Sequence, residues 1–420
     1  LEFSGNKVVR VNYQGDTGAH VAKWLWYYIK YYKRKLPITN AEKEIAKIYV
    51  ESVKKLEENP RFQEEVDKIN YNLENKKDKK LFSTWQKTRK YSLEEFEKIY
   101  KQLNTSFDLY FFEREMEKPA KNIVNIMLKK KVVTISDSAA IIDLEKYNLG
   151  KWVLLRKDST VLYSAKDIAL AKIKFEKYKV KKSIYVVGAA QALHLQQLFK
   201  TLELLNFKYA KDCYHLSFSE VRLPTGKMSS RTGENILYSD LFSESLKLAM
   251  AESKSRNAKL PKSKIEGKAR EITIAAIKFS MLSQDPNKAI VFDQKKELEF
   301  EGDTGPYIQY TYARLCSILR KSRKSEQKFE KLEEAIEYDI VKKLSEFQEI
   351  VEKSAREYKP NIIANYLIEL SHMTNESYHK YPVIKAESKI RGSRLFLISA
   401  IRIVIKNSMD LLGISVIESM

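Results

Sequence analysis

The chain has 420 residues, 44% of them hydrophobic, with 76 Lys or Arg against 55 Asp or Glu and a formal net charge of +21. That length exceeds one small core and implies two or three domains. Two distant cysteines, Cys213 and Cys316, exclude a disulfide framework and a cysteine metal site, which fits a reducing cytosol. The positive surplus attracts polyanions, nucleic acid or an anionic membrane; a lysine-biased composition serving only solubility gives the same number, and charge alone leaves both open. No apolar run reaches the ~20 residues of a membrane span. No secretory leader is recognised, and the chain starts on Leu1 rather than Met, as a fragment would.

In chain order, KVVRVNY (7–13) alternates as a strand does, and GDTG (15–18) is a turn that opens a helix. Residues 18–104 are helical in period and rich in Lys, Glu and Tyr, with Pro60 suited to a helix first turn. Short strands are expected at 132–135, 140–144 and 152–155. A helix is expected over Tyr163–Tyr178, a buried strand over 184–189 and another helix from about His194 to Leu205. This strand, helix, strand order predicts a parallel α/β sheet. LPTGKMSSRTG (223–233) has turn chemistry, and from Lys264 onward only helical periodicity is visible.

Four places could carry chemistry. Tyr163 and Asp167, four apart, share a helix face near its first turn. A carboxylate there could grip a guanidinium through two charge-assisted bonds; equally, Ser164 and Asp167 make a plausible capping pair. Gln191 and His194 follow a strand that ends in small residues, where α/β sheets bind ligands, although a solvated helix start reads the same way. Lys227 and Arg231 lie in GKMSSRTG (226–233), a loop able to close cations over a triphosphate, or simply solvent-facing. Tyr307, Tyr310 and Arg314 fall at i, i+3 and i+7. That face could stack on bases and meet phosphates, or be the seam that docks a helical module on the sheet domain.

KMSSR (227–231) resembles the Lys-Met-Ser-Lys-Ser loop of class I aminoacyl-tRNA synthetases, and the surrounding words resemble arginyl-tRNA synthetases specifically. They are RVNYQGDTG (10–18), SFDLYFFERE (106–115), LYSAKDIALAKIKFEKY (162–178), IYVVGAAQALHLQQLFKTLELL (184–205), GKMSSRTG (226–233) and EFEGDTGPYIQYTYARLCSILRK (299–321). SRLFLISAIRIVIKNSMDLLGI (393–414) resembles the family's helical anticodon-binding domain. The likeness runs in register from about Lys7 to Met420 and is weakest across 30–104.

The resemblance implies a Rossmann-type α/β catalytic domain over 1–296 with a helical insertion at about 30–104, then an all-α anticodon-binding bundle over 297–420. It implies ATP-dependent activation of arginine to arginyl-adenylate and transfer to the 3′-terminal adenosine of tRNA(Arg), with Mg²⁺ accompanying ATP and no protein metal site. It assigns Tyr163 and Asp167 to the guanidinium, Gln191 and His194 to the rest of the amino acid, and Gly226, Lys227, Met228, Ser229 and Ser230 to ATP. Lys227 and Arg231 act on the phosphates. Tyr307, Tyr310, Arg314, Arg394 and Arg402 are assigned to tRNA, although Arg402 sits in an apolar stretch and could cap a buried carbonyl. A cytoplasmic monomer is expected.

Two departures stand out. Ser230 replaces the loop's second lysine, and the His-Ile-Gly-His signature, due a few tens of residues before Arg10, is not in the chain. The expectation is therefore a catalytically incomplete piece, inactive alone, whose 7–13 strand lacks one neighbour. The competing readings are a non-catalytic tRNA-binding relative and another class I synthetase; a cysteine enzyme would need a thiolate-binding zinc site that two isolated cysteines cannot supply.

Overall fold

The computed structural model describes residues 1–37, 41–224, 226–227, 237–256, 261–322 and 329–419. The first strand, β1 (Val11–Gln14), begins later than the alternation suggested, because the Arg10 amide is already committed to the Asp108 carboxylate at 2.7 Å. Gly18 takes φ 105°, a left-handed value that glycine adopts without strain, and starts α1 (Ala19–Tyr27). A π-helical turn at Tyr28–Tyr32 ends α1. The helical block follows as α2 (Ala41–Glu58), α3 (Gln63–Glu74) and α4 (Lys79–Gln102). Pro60 opens a 3₁₀ turn capped by the Asn59 side chain. The block buries Trp26, Leu56 and Val66 together, and Leu25, Leu73, Leu81 and Trp85 together, so α1 is its shared wall.

The chain returns to β2 (Leu109–Phe112), parallel to β1 with Val11 opposite Leu109. Among the described residues β1 pairs with β2 only. Then come α5 (Glu113–Lys129) and an antiparallel sheet of β3 (Thr134–Ser136), β4 (Ala139–Asp143) and β5 (Lys151–Leu155). Next are α6 (Tyr163–Tyr178), β6 (Ser183–Gly188), α7 (Ala192–Leu204) and β7 (Cys213–Phe218), the last parallel to β6. A core of Val124, Met127, Ile142, Leu154, Ile168, Leu198 and Leu202 welds α5, α6, α7 and the antiparallel sheet together. The parallel α/β arrangement read from the sequence is present in the parallel pairings β1–β2 and β6–β7, with a further short one beyond them.

Beyond them lie β8 (Val221–Leu223), β9 (Gly226–Lys227), α8 (Tyr238–Arg256), α9 (Lys262–Leu282), β10 (Ile290–Val291) and α10 (Gln294–Glu297). β10 corrects the expectation that no strand follows Lys264: it pairs in parallel with β8. The remaining helices are α11 (Gly305–Lys321), α12 (Ala335–Ser345), α13 (Phe347–Glu357), α14 (Asn361–Lys380) and α15 (Ser388–Leu411). Their core of Ile308, Tyr312, Leu315, Tyr366, Leu367, Leu395 and Ile401 also takes in Ala275 and Phe279 of α9. α9 is thus a wall of both halves of the molecule.

Candidate active site

The carboxyl ends of β1, β2 and β6 deliver, respectively, the GDTG turn, Glu113 and the start of α7, in the region where open α/β sheets bind ligands. Tyr163 and Asp167 lie on the first turns of α6 as their spacing predicts. His194, on the first turn of α7, places Nε2 2.6 Å from Asp167 Oδ2. The His194 ring lies 4.8 Å from that of Tyr163 and 5.4 Å from that of Trp152. Both partners of this contact are largely buried, at 11% and 19% side-chain exposure, whereas Tyr163 is half exposed at the rim. The structure therefore brings Tyr163, Asp167 and His194 together. Gln191 stands exposed at the residue preceding α7. The capping alternative for Ser164 and Asp167 is overturned: α6 has no side-chain cap, and the Ser164 hydroxyl donates to the Val153 carbonyl of β5.

Several residues that sequence reasoning did not single out complete the site. Tyr13, at the end of β1, buries a hydroxyl that has no hydrogen-bond partner among the described residues. Burial pushes its ionisation well up, and the neighbouring charges of Asp167, Glu113 and Asp16 push it further. Glu113, the first residue of α5, is raised by burial, opposed by Lys166 and reinforced by Asp167. Lys166, 2% exposed, donates to Thr17 Oγ1 at 3.0 Å and to Glu113 Oε2 at 3.3 Å. Asp16 fixes the turn: it accepts from the Arg114 amide at 3.1 Å and pairs with Arg89 Nε at 3.0 Å, while its carbonyl accepts from Trp85 Nε1. The site is thus an anionic recess, with Asp167 and Glu113 near a buried phenol, suited to a cation with several N–H donors.

Of the expected ATP loop, Gly226 and Lys227 form β9, antiparallel to β8 with Lys227 opposite Arg222, so their backbone is strand and not loop. Met228, Ser229, Ser230 and Arg231 lie outside the described residues. Among the described residues no group of three His, Cys, Asp or Glu side chains could hold a metal ion.

In the helical half, Tyr307 and Arg314 of the Tyr307–Tyr310–Arg314 stripe bond to α14, while the Tyr310 ring packs edge-on against Phe300. The Tyr307 hydroxyl accepts from Asn375 at 2.9 Å; Arg314 donates to Asn375 Oδ1 at 2.5 Å and to the Tyr310 hydroxyl at 3.1 Å. All three keep partial exposure. Arg394 departs from the expectation. It is 8% exposed, bonded through Nε to Glu337 at 2.5 Å and through Nη1 to the Pro382 carbonyl at 2.9 Å, so its guanidinium is committed to the module's interior. Arg402 lies against Tyr312 and Cys316 with its Nε buried, a position inside the α11–α15 seam.

Comparison with known proteins decides between the readings. The family model described as "tRNA synthetases class I (R), catalytic domain" matches residues 1–294. The chain is 35% identical over 431 residues to the arginine–tRNA ligase of Bdellovibrio bacteriovorus, covering all of this chain and 74% of that protein. The chain belongs to the arginyl-tRNA synthetase family. A second model, the DALR anticodon binding domain, matches residues 308–420. The arginine–tRNA ligase of Clostridium acetobutylicum is 34% identical over 423 residues, covering all of this chain and 75% of its own length. Among solved structures, the Thermus thermophilus arginyl-tRNA synthetase superposes with a TM-score of 0.85 at 25% identity, covering 100% of this chain and 77% of that one. The Plasmodium falciparum arginyl-tRNA synthetase shares the fold, with a TM-score of 0.78 at 23% identity, over 100% of this chain and 71% of that one. The class I catalytic domain followed by an all-helical anticodon-binding domain, as the arginyl-tRNA synthetase resemblance implied, is therefore the architecture of this chain.

Proposed function

We propose that this chain supplies the arginine-recognition site and the tRNA-binding module of an arginine–tRNA ligase, whose reaction activates L-arginine with ATP to arginyl-adenylate and transfers it to the 3′-terminal adenosine of tRNA(Arg). The observation that carries the reading is the Asp167 carboxylate, largely buried at the carboxyl edge of the parallel strands with Tyr163 and His194 against it. A guanidinium presents a planar fork of N–H donors that such a carboxylate accepts in pairs. In this reading Asp167 takes the fork, Glu113 supplies a second carboxylate, Tyr163 covers the rim, and Gln191 and His194 hold the remainder of the amino acid. Arginine's carboxylate attacks the α-phosphorus in line and pyrophosphate leaves. Lys227 and Arg231, within Gly226–Arg231, and ATP-borne Mg²⁺ offset the phosphate charge. The 2′-hydroxyl of tRNA then attacks the adenylate carbonyl.

The catalytic domain is assigned to 1–296 and tRNA binding to the module over 297–420, with Tyr307, Tyr310 and Arg314 on its contact face. A cytoplasmic monomer fits, and among the described residues no helix is long and apolar enough to cross a membrane. Titration calorimetry of the 420-residue chain with arginine and with citrulline, its neutral isostere, tests the reading. Arginine binds and citrulline binds at least about tenfold more weakly, the loss of one charged contact. Equal affinities, or no arginine binding, overturn it.

A further inference from the structure

The least expected feature of the recess is a lysine inside it. Lys166 and Asp167 are consecutive, so their side chains leave α6 about 100° apart. Asp167 meets His194, and Lys166 turns inward to Thr17 and Glu113. An ammonium with a 3% exposed side chain is costly unless compensated. It compensates by joining three segments: the turn after β1, the first residue of α5 and the second turn of α6. Thr17, its hydroxyl acceptor, is fully buried. Lys166 takes Glu113 Oε2, while Oε1 lies beside Gly15, whose missing Cβ would sit 3.4 Å from that oxygen. One oxygen of Glu113 is therefore anchored and the other directed toward the turn where Tyr13 and His20 stand.

Two carboxylates sharing a partly dry recess repel, and one takes a proton unless a cation stands beside them. We propose that Lys166 is the positioning residue of arginine recognition: its ammonium anchors Glu113 and sets a positive charge beside it, so that Glu113 and Asp167 are both presented to one guanidinium. This rests on the assignment of the recess to arginine. The groups facing Glu113 are Lys166 and Asp167 from α6, His20 from α1 and Tyr13 from β1. Asp16, Glu74 and Glu117 also lie in the field of Lys166. Lys166 is thus a central cation for four carboxylates beside the recess, and among the described residues no other permanent cation is shown as close to Glu113.

The test is arginine affinity by calorimetry from about pH 6 to about pH 9 on the 420-residue chain. Lys166→Met weakens arginine about tenfold near pH 6 and recovers most of that by pH 9, as Glu113 gives up its proton. Lys166→Arg, which keeps the charge, restores the wild-type profile. A purely structural role would lower affinity equally at every pH. If Lys166→Met does not fold, Glu113→Gln decides: it weakens arginine at all pH values and flattens the profile, and unchanged affinity overturns the inference. Failure of the wild-type chain to bind arginine sinks the arginine assignment instead. Wild-type binding with an unaltered Lys166→Met profile sinks the role of Lys166 alone.

Discussion

Replacing Asp167 by Asn tests arginine recognition at its centre. The substitution keeps shape and leaves one acceptor oxygen for His194, whose Nε2 lies 2.6 Å from Asp167 Oδ2, so the packing of α6 on α7 survives. What is lost is the charge and one of two acceptors for the guanidinium fork. A hydrogen bond to a charged group contributes about 1.5–3 kcal/mol, and the recess, where the Asp167 side chain is 19% exposed, favours the upper end. The new amide N–H₂ also points donors at donors. About 3 kcal/mol in total corresponds to roughly a hundredfold weaker arginine binding at 1.4 kcal/mol per decade. Calorimetry with arginine reads this directly, and ATP binding measured on the same protein is the control, unchanged within about twofold. Citrulline, which lacks the positive charge, loses less than about fivefold because no ion pair is broken. Arginine affinity within about threefold of wild type refutes the assignment of Asp167, and equal losses of arginine and ATP binding refute its confinement to arginine.

Two further outcomes follow from burial. Glu117 of α5 and Glu297 of α10 are each pushed from 4.5 up to about 7, chiefly by burial. A raised folded-state value means the folded chain holds the proton more tightly, so their stabilisation is complete below pH 4.5 and is lost as pH rises through about 7. Denaturant unfolding is expected to lose on the order of 1–3 kcal/mol per group across that window, and Glu117→Gln removes its share; a flat wild-type profile contradicts the burial argument. In the helical half, Arg394→Met leaves Glu337 buried without its partner and costs about 3–5 kcal/mol of stability with tRNA affinity of the folded protein unchanged. Arg314→Ala weakens filter-bound tRNA and shallows its salt dependence by about one counterion, and the reverse ranking of these two variants would return Arg394 to the RNA face.

Much of this architecture was legible because it is local. The helix over Tyr163–Tyr178 matches its reading at both ends, since a 3.6-residue period and the left-handed Lys179 that closes it are properties of the segment itself. β6 and α7 were read to within two residues for the same reason. β10 escaped because two residues carry no periodicity; its partner β8 lies about 70 residues earlier in the chain. At the site, Tyr163 and Asp167 were visible through their four-residue spacing, but Lys166 was not. In a chain with 76 Lys and Arg, a lysine on a helix reads as solvated, and only the tertiary approach of Thr17 and Glu113 reveals its burial. Tyr13 was hidden in the opposite way, as an ordinary aromatic in an alternating strand. Arg394 illustrates the same limit: a basic residue on a helix of a nucleic-acid-binding module looks like a phosphate contact until Glu337, 57 residues earlier, is found against it.

The two halves are joined through α9, which contributes Ala275 and Phe279 to the core of the helical module. Gly305 opens α11 so close to α9 that an added Cβ would lie 2.5 Å from the Ala275 carbonyl oxygen, a distance no side chain accommodates without moving backbone. Four residues on, Gln309, fully buried, donates to the Ser415 carbonyl at 2.7 Å and draws the carboxyl end of the chain onto α9. Lys278, one residue before Phe279 of that shared wall, donates to the Leu103 carbonyl at 2.7 Å and to the Gly413 carbonyl at 2.6 Å. Leu103 caps α4 and Gly413 follows α15, so one ammonium satisfies the carbonyls at two helix ends, where the partial charge is negative. α4 also carries Trp85 and Arg89, which hold Asp16 in the turn beside the recess. A continuous set of packed groups therefore runs from the end of the anticodon-binding module, through Lys278 and along α4, to the turn that Lys166 grips. The ends of α4 and α15 thus share a single ammonium donor, Lys278.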